Sequence, residues 1–376
     1  MFLMGSCLKF PEDTYVKVLD VPSDFDWKTI EYKDIEISNL SSLLNEEGDT
    51  VASFIPPGKY LIATGIGSVL NIREESAVPD TYLPLTKSLP GNHKQTIYFP
   101  AKNKYATLMF EDLFPSKGDM DMNDVVIGLN IEYLLDNQGR VLGIRFKVEP
   151  RALGSSYNLI GLAACLRGKP HVNIVEQIVH SSTPSLAPLF ASSNGGSTYL
   201  PEDGITSSQV IPLTGNLRSH IDNDTDLFLN VRNIDAYSPV ERFTVTAEVF
   251  ANQKTHYSNF TFLDSLKDGK INLDIFAVFD TRGKEVHFKG QLPTNKFTIQ
   301  YFMSTRPKMD FSTVDNWVWA VLSPKSIRHP LEFVKIYNAY PNFKTWAEAG
   351  GEVGVDWYNN TVRDSLWTRH NFNYVN

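Results

Sequence analysis

Residues 131–146, IEYLLDNQGRVLGIRF, place a short polar loop between two apolar runs that predict strands. Asp136, Asn137 and Gly139 are typical of hairpin loops, because Gly adopts positive φ readily and Asp or Asn hydrogen-bonds its own turn. After the loop, apolar residues from Ile144 to Val148 alternate with charged residues, as on a half-buried strand. The stretch therefore predicts an antiparallel hairpin.

Period-two alternation recurs outside this hairpin, for example in RFTVTAEVF at residues 242–250. The chain has 376 residues, 12% of them aromatic, with 23 Gly and 21 Pro, a composition that favours strands and turns. No regular succession of strand and 10–15-residue helix appears, which argues against a doubly wound parallel sheet. We predict a mainly β fold of antiparallel β-sandwich or jelly-roll-like domains.

Two segments predict helices. Apolar residues recur at three- and four-residue spacing after Pro330, and Pro341 interrupts them, which predicts a short, broken C-terminal helix. The apolar positions there are Phe333, Ile336, Tyr337 and Tyr340. A second, shorter helix is predicted in SNLSSLLNEEGD, residues 38–49, with Ser38 or Ser41 as its N-cap and Gly48 as its stop.

Three segments are predicted along the chain: a truncated lipoprotein signal at 1–7, an N-terminal β domain at 8–96 and a larger β-sandwich domain at 97–376. The boundary follows the turn-rich stretch PDTYLPLTKSLPGNHKQ, residues 79–95. The opening MFLMGSC resembles the end of a lipoprotein signal and makes Cys7 a candidate lipidation site. It lacks a basic n-region and a long apolar core, so an ordinary apolar N-terminus is the alternative.

Composition excludes several functions. The net charge is −8 and no run of Lys or Arg occurs, which argues against nucleic-acid binding. Two cysteines allow at most one disulfide, and no apolar stretch approaches the roughly 18 residues of a membrane span. The common nucleophile-elbow, metalloprotease, P-loop and dinucleotide motifs are absent, so we predict that the protein is not an enzyme.

The stretch GDMDMND, residues 118–124, carries oxygen-bearing side chains at alternate positions. Such spacing turns several oxygens toward one hard cation, and we predict a structural Ca²⁺ site there. The predicted ligands are Asp119, Asp121, Asn123 and Asp124, with Glu111 and Asp112 from the preceding FED. The EF-hand glycine and final glutamate are missing from the pattern. The alternative is a set of Asx turns at a strand entrance.

A second acidic run repeats this spacing in DNDTDLFLNV, where Asp222, Asp224 and Asp226 precede an apolar segment. These three residues are a weaker candidate cation site. No further carboxylate is adjacent to them, and a solvated hairpin tip is the alternative.

The late aromatics offer a different kind of site. Trp346, Trp357 and Tyr358 are candidates for a surface on which a ligand ring stacks, although core packing is the commoner fate of such residues. Trp317 and Trp319 share one face of NWVWAV and are expected to be buried. A glycoside-hydrolase pair of Glu111 and Asp112 is disfavoured, because adjacent strand residues face opposite sides.

Two long segments carry a family resemblance. Residues 105–158, which contain FEDLFPSKGDMDMND, resemble the opening of the bacterial LruC domain, and residues 316–358 are similar to its closing segment. The resemblance covers roughly residues 97 to 367. Met120 and Met122 stand where aromatics are usual, so the oxygen ligands are kept while the packing between them differs.

The resemblance implies a surface-exposed or secreted lipoprotein of a Gram-negative envelope, lipidated at Cys7 and without established catalytic activity. We therefore predict a non-catalytic envelope lipoprotein of the outer membrane or cell surface, with a binding or adhesion-type structural role. Its partner would be an extracellular protein or glycan, and it would touch the membrane only through the anchor. A glycan-binding module is the first alternative, and a glycoside hydrolase is the second.

Overall fold

The computed structural model describes residues 19–79, 93–169, 172–192, 196–202, 208–223, 226–305 and 309–375. The predicted signal at 1–7, including Cys7, lies outside the described residues, and so does Asp224 of the second acidic run.

Short strands make up most of the regular structure in these ranges. The strands are β1 Ile30–Ile37, β2 Ser41–Leu44, β3 Thr50–Ile55, β4 Gly58–Gly65, β5 Asn71–Glu74, β6 Thr96–Phe99, β7 Ala106–Phe110, β8 Val125–Leu135, β9 Val141–Ala152, β10 Ile160–Gly168, β11 Val175–His180, β12 Thr198–Tyr199, β13 Ser208–Thr214, β14 Phe243–Val249, β15 Phe260–Phe262, β16 Ile271–Phe279, β17 Glu285–Val286 and β18 Ala320–Ser323. The helices are α1 Gln300–Thr305, α2 Ile336–Ala339 and α3 Pro341–Glu348, with 3₁₀ turns at Leu217–His220, Tyr257–Asn259, Trp357–Asn359 and Arg363–Ser365.

The described strands form three sheets. The largest has 11 strands in the order β12-β11-β14-β9-β8-β6-β3-β2-β5, with β7 beside β8 and β18 beside β7. A 5-stranded sheet has the order β13-β10-β16-β15, with β17 on β16, and β1 pairs with β4 in a 2-stranded sheet. The β15–β16 pair is parallel, whereas the other ladders between these strands are antiparallel. The predicted mainly antiparallel β fold is confirmed.

The hairpin predicted from IEYLLDNQGRVLGIRF joins β8 to β9. The Asp136 N–H donates to the Arg140 carbonyl at 2.9 Å, and the Gly139 N–H donates to the Asp136 carbonyl at 3.0 Å. Gly139 has a φ of 71°, a conformation that most residues with a Cβ avoid. The turn chemistry of the sequence therefore sets the connection between the two longest strands.

The two larger sheets pack face to face over one hydrophobic core. Phe99 of β6 and Phe262 of β15 have ring centroids 4.9 Å apart, and Tyr133 of β8 lies 5.7 Å from Phe260 of β15. Buried side chains from both sheets belong to the same continuous cluster. This layering is the sandwich arrangement expected when two half-apolar sheets cover each other.

Strand β8 is buried on both of its faces. Val125, Ile127 and Leu129 belong to the core between the sheets, whereas Val126 belongs to a second cluster on the opposite face. Helix α3 covers that second cluster, so β8 is buried along both faces although Asn130 and Glu132 interrupt its apolar residues. Among the described residues, no helix is long and apolar enough to cross a bilayer.

The predicted boundary between residues 96 and 97 lies inside β6. Strand β6 pairs with β3 on one side and with β8 on the other, so strands from both predicted domains form one sheet. Within the described residues, hydrogen bonding therefore continues across the predicted boundary, and residues on both sides of it belong to one core.

The two helix predictions have different outcomes. The predicted C-terminal helix is present as α2 and α3, and Pro341 is the first residue of α3, where proline is tolerated because its missing N–H has no intrahelical partner. The prediction for residues 38–49 is wrong. Ser41–Leu44 forms β2 between β3 and β5, and Gly48, with a φ of 81°, belongs to the turn before β3.

Candidate metal centre

The loop of residues 111–124 joins the neighbouring antiparallel strands β7 and β8. Its first residue continues the ladder with the segment before β18, since the Glu111 N–H donates to the Trp319 carbonyl at 2.9 Å. Its last residue, Asp124, accepts the Asp112 N–H at 2.7 Å. Both ends of the loop are therefore fixed to the large sheet.

Alternate residues of this loop face opposite ways. Met120 and Met122 have φ values of 66° and 58° and bury their side chains in the second core. The Met120 carbonyl accepts the N–H of Ile336, the first residue of α2, at 2.8 Å. The methionines thus anchor the loop in apolar surroundings, on the side away from the acidic side chains.

Three of the predicted ligands converge in the structure. Glu111, Asp119 and Asp121 each offer a carboxylate oxygen, and these oxygens lie within 4.8 Å of one another. Glu111 is 0% exposed and Asp121 is 1% exposed, whereas Asp119 is half-buried. Oxygens at this spacing match the reach of one hard cation with bonds of about 2.3–2.6 Å.

The hydrogen bonds around this group leave one buried oxygen without a partner. Glu111 Oε1 accepts the Met122 N–H at 2.7 Å, but no hydrogen bond reaches the buried Oε2. Asp121 accepts the Asn123 N–H at 3.1 Å and the Phe333 N–H at 2.8 Å. A buried carboxylate oxygen without a donor is costly, and a bound cation would remove that cost.

Burial and mutual repulsion disfavour the charged forms of these carboxylates. Burial, followed by the charges of Asp121 and Asp119, raises the pKa of Glu111 well above its usual value. Burial, followed by Asp119 and Glu332, does the same to the pKa of Asp121. Without a positive charge among them, the carboxylates of this group therefore favour protonation.

Asp112 and Asp124 form a neighbouring pair outside this group of three. Burial raises the pKa of Asp112, and the Ser155 hydrogen bond and the charge of Lys284, which is 7% exposed, oppose this shift. Burial lowers the pKa of Lys284 itself to about 8, against the opposing effect of Asp112. This pair has a protein cation beside it, whereas Glu111 and Asp121 are surrounded by further carboxylates.

Asn123 and Glu332 meet beside Gly154. Asn123 Oδ1 and Glu332 Oε2 are both buried without a hydrogen-bond partner. A Cβ at Gly154 would lie 2.2 Å from the first oxygen and 3.0 Å from the second. Asn123 is among the ligands predicted from sequence, but Glu332 is not. No local pattern marks Glu332, because it approaches the loop from the segment before α2.

The second acidic run has a different structure. Asp222 and Asp226 are exposed, and Asp226 accepts a hydrogen bond from the Asn223 amide at 3.2 Å while its own N–H donates to Asn223 at 3.1 Å. These contacts form a polar turn, and neither residue belongs to a metal-binding group within the described ranges.

The three aromatic residues predicted to form a stacking surface are buried. Trp346 and Trp357 are 0% exposed and Tyr358 is 8% exposed, because α3 and the following turn cover the second core. The rings of Trp346 and Trp357 lie 5.9 Å apart inside that core. Trp317 and Trp319, at 2% and 0% exposure, are buried as predicted.

Comparison with known proteins yields one structural likeness and one family. A crystal structure of a "putative lipoprotein" from Bacteroides ovatus superposes with a TM-score of 0.54 at 16% identity, covering 91% of this chain and 94% of that one. At this identity the likeness concerns the fold alone. No curated protein matches the chain.

The family match begins within the β8–β9 hairpin and extends past α3. It covers residues 139–358, which is more than half of the chain, and leaves the loop of residues 111–124 outside. No assigned activity accompanies this family, and the LruC resemblance stays a prediction. The chain belongs to the family described as Domain of unknown function (DUF4842).

Proposed function

We propose that the protein is a non-catalytic component of the cell envelope whose β7–β8 loop is held in shape by one structural Ca²⁺ ion. The observation that carries the cation is the unpartnered, fully buried Glu111 Oε2, which lies in a group with the carboxylates of Asp119 and Asp121. A cluster of buried negative charge without a compensating group is unstable, and a divalent cation supplies the missing charge and coordination together.

The donor chemistry supports calcium over a transition metal. The group contains carboxylate oxygens and no histidine or cysteine, and hard oxygen ligands favour Ca²⁺ or Mg²⁺ over Zn²⁺ or Cu²⁺. Glu111, Asp119 and Asp121 supply three carboxylates from a single irregular loop between two strands. Ca²⁺ accepts such irregular shells more readily than Mg²⁺, which demands near-ideal octahedral geometry.

The burial of these carboxylates supports a structural role. A glycoside hydrolase needs two carboxyl groups that flank a sugar in an open cleft. Glu111 and Asp121 are both inaccessible, and backbone N–H groups of Met122, Asn123 and Phe333 occupy part of their acceptor capacity. These contacts position a loop, and they leave no space in which a sugar ring would meet both groups.

The envelope assignment is supported by three observations of different kinds. The segment MFLMGSC ends in a lipidation-type cysteine, Cys7, and long sequence segments resemble a family of surface lipoproteins. The fold is similar to that of a protein named as a putative lipoprotein. The proposed role is binding or adhesion, with an extracellular protein or a glycan as partner.

A glycan partner gains support from Phe333. Its backbone N–H donates to Asp121 and its side chain is 59% exposed, so it is an exposed aromatic residue next to the proposed ion. An exposed ring offers a flat apolar face to a ligand, and we propose that this one packs on a sugar. Retention of the full chain on a polysaccharide column, reduced by Phe333→Ala and unchanged by the exposed-residue control Val353→Ala, would support this partner class. If the wild type and both variants elute from the polysaccharide column at the same volume as from a sugar-free matrix, that polysaccharide is excluded as the partner.

Thermal unfolding tests the proposed ion. At about 2 mM CaCl₂ and an affinity of 10⁻⁴–10⁻³ M, mass action stabilises the fold by roughly 0.6–1.8 kcal/mol. The melting temperature of the full chain should rise by roughly 1–2 °C relative to EDTA, because an unfolding entropy of about 2.1 cal/mol/K per residue makes the shift small for a chain of 376 residues. Glu111→Gln should remove the rise, and Asp222→Asn should keep it. An identical wild-type melting temperature in CaCl₂ and EDTA contradicts the proposal.

Lipidation is tested separately in cells. Cells expressing the full chain are fed a radiolabelled fatty acid, and label should enter the wild-type protein but not the Cys7→Ser variant. A Cys165→Ser variant is the control, because Cys165 is a buried free thiol that an acyl chain cannot reach. An unlabelled wild-type protein contradicts the anchor and leaves the ion site untouched.

A further inference from the structure

We infer that Asn123 and Glu332 extend the proposed cation site across to the segment before α2, so that cation binding fastens this segment to the β7–β8 loop. The inference rests on the proposed ion at Glu111, Asp119 and Asp121. It adds two residues and a consequence: the ion holds two parts of the chain together that are far apart in sequence.

Two buried oxygens without partners support this extension. Asn123 is 0% exposed, and its Oδ1 has no hydrogen-bond donor, although its Nδ2 donates to the Pro330 carbonyl at 3.4 Å. Glu332 Oε2 is also without a donor. Because both oxygens lie within 3.0 Å of the point where a Gly154 Cβ would stand, they face a common space that only a glycine leaves open.

The position of Glu332 connects this space to the three carboxylates. The next residue, Phe333, donates its N–H to Asp121, so the backbone beside Glu332 already contacts the site. Glu332 is therefore one residue away from a direct backbone contact with Asp121.

The ligand count fits this arrangement. Ca²⁺ takes six to eight oxygens, and some of them are commonly water. Glu111, Asp119 and Asp121 provide the compact group, and Asn123 Oδ1 and Glu332 Oε2 provide two further oxygens. Glu332 lies outside the group within 4.8 Å, so it reaches the ion through a bound water or by rotation of its side chain.

Fastening this segment has consequences for the second core. The segment continues into α2, whose first N–H bonds to the Met120 carbonyl at 2.8 Å, and then into α3. Those helices cover the cluster that contains Met120, Met122 and Trp346. Cation binding should therefore slow local opening of the segment, because an added contact raises the free energy of that opening.

Calorimetry and hydrogen exchange on the full chain test the inference. CaCl₂ is titrated into metal-free wild-type protein, Glu332→Gln, Glu111→Gln and the exposed control Glu352→Gln. We expect Glu332→Gln to weaken calcium affinity by about tenfold or more, as loss of a supporting ligand does at other metal sites. Glu111→Gln should abolish binding, and Glu352→Gln should bind as the wild type does.

Hydrogen exchange then distinguishes a variant that has lost the contact between the segment before α2 and the β7–β8 loop from a variant that is unfolded. CaCl₂ should slow exchange at residues 330–340 in the wild type, and in Glu332→Gln it should slow exchange at residues 111–124 only. Wild-type affinity and wild-type protection of residues 330–340 in Glu332→Gln overturn the inference while the proposed ion stands. No calcium uptake by the wild type overturns both. Glu332→Ala serves as a second variant if Glu332→Gln fails to give a native circular dichroism spectrum.

Discussion

Gly154 shows how one residue without a side chain keeps the candidate site open. The backbone N–H of Gly154 donates to the Asn123 carbonyl at 3.0 Å, which brings the two residues close together. An added Cβ would stand 2.2 Å from Asn123 Oδ1, closer than non-bonded atoms approach. Gly118 has the same relation to Glu111 Oε2, at 2.6 Å. Two glycines thus leave space around two unpartnered oxygens.

We predict that Gly154→Ala lowers the free energy of unfolding by about 1–3 kcal/mol, the usual cost of forcing a methyl group into a packed site. Gly196→Ala is the matched control, because the nearest atom to its added Cβ, the Thr198 carbonyl oxygen, lies 3.4 Å away. Urea unfolding of both variants in CaCl₂ measures the difference. Equal stability of the two variants would contradict the packing described around Asn123.

His329 makes stability depend on pH. It is fully buried, its Nε2 hydrogen-bonds the Asn230 carbonyl at 2.7 Å, and its ring stacks on Trp367. Burial lowers its pKa to about 4, against about 6.5 for the unfolded chain. Between these pH values the unfolded state takes up a proton that the native state does not, so the stability present above pH 6.5 is lost as the pH falls toward 4.

We predict that the stability difference between the wild type and His329→Gln narrows by up to roughly 3 kcal/mol from pH 7 to pH 4. Urea unfolding of both proteins across this range measures it. Comparing the two proteins cancels the titration of the carboxylates that they share. A difference independent of pH would show that His329 is not held neutral in the native state.

At the scale of the element, local chemistry predicted some segments and not others. The β8–β9 hairpin followed from Asp136, Asn137 and Gly139, because its turn and register depend on neighbouring residues. The segment of residues 38–49 offered cap-like serines and a glycine, yet Ser41–Leu44 forms a strand between β3 and β5. Pairing with two distant strands outweighs a weak local helix preference, and a local pattern does not contain that information.

Helix α3 is fixed by its buried face. Trp346 packs against Phe343 and Trp357, with ring centroids 5.5 Å and 5.9 Å away, and its side chain is 0% exposed. The sequence offered the same residue as a ligand-stacking candidate, since aromatic rings look alike in sequence whether they are buried or exposed. Burial of Trp346 depends on the whole C-terminal segment packing over the cluster that includes Val126 of β8.

We predict that Trp346→Ala lowers the free energy of unfolding by about 3–5 kcal/mol, the range for removing a large buried aromatic side chain. Val353→Ala, at a position 52% exposed in the same part of the chain, should change it by less than about 0.5 kcal/mol. Chemical denaturation at neutral pH measures both. A near-neutral Trp346→Ala would mean that α3 does not cover the second core.

At the scale of the whole molecule, the candidate site joins three parts of the chain. The alternating acids of GDMDMND were sufficient to predict Asp119 and Asp121, and the adjacent FED supplied Glu111. The same pattern did not show that Asp112 lies outside this group. Asp112 instead lies with Asp124 near Lys284. Glu332 was not predicted because its position beside Asn123 depends on how the segment after β9 and the segment before α2 meet in the fold. Residue spacing within one segment does not contain that information.

The fold gives the proposed ion a limited but definite role. Three sheets and two hydrophobic clusters already hold the described residues together, so we expect the sandwich to form without the ion. It would hold the β7–β8 loop and the segment before α2 in one arrangement at the protein surface, where half-buried Asp119 and exposed Phe333 lie. A surface already held in a single shape loses less conformational entropy when a partner binds.

The central claim is that a calcium ion sits among Glu111, Asp119 and Asp121. Equilibrium dialysis of the metal-free full chain against about 2 mM CaCl₂, followed by elemental analysis, measures it most directly, with a total near one ion per chain expected as the site approaches saturation. Asp121→Asn should lose this ion, whereas Asp226→Asn, in the exposed second acidic run, should retain it. Wild-type protein that holds no more calcium than the dialysis buffer would contradict the account.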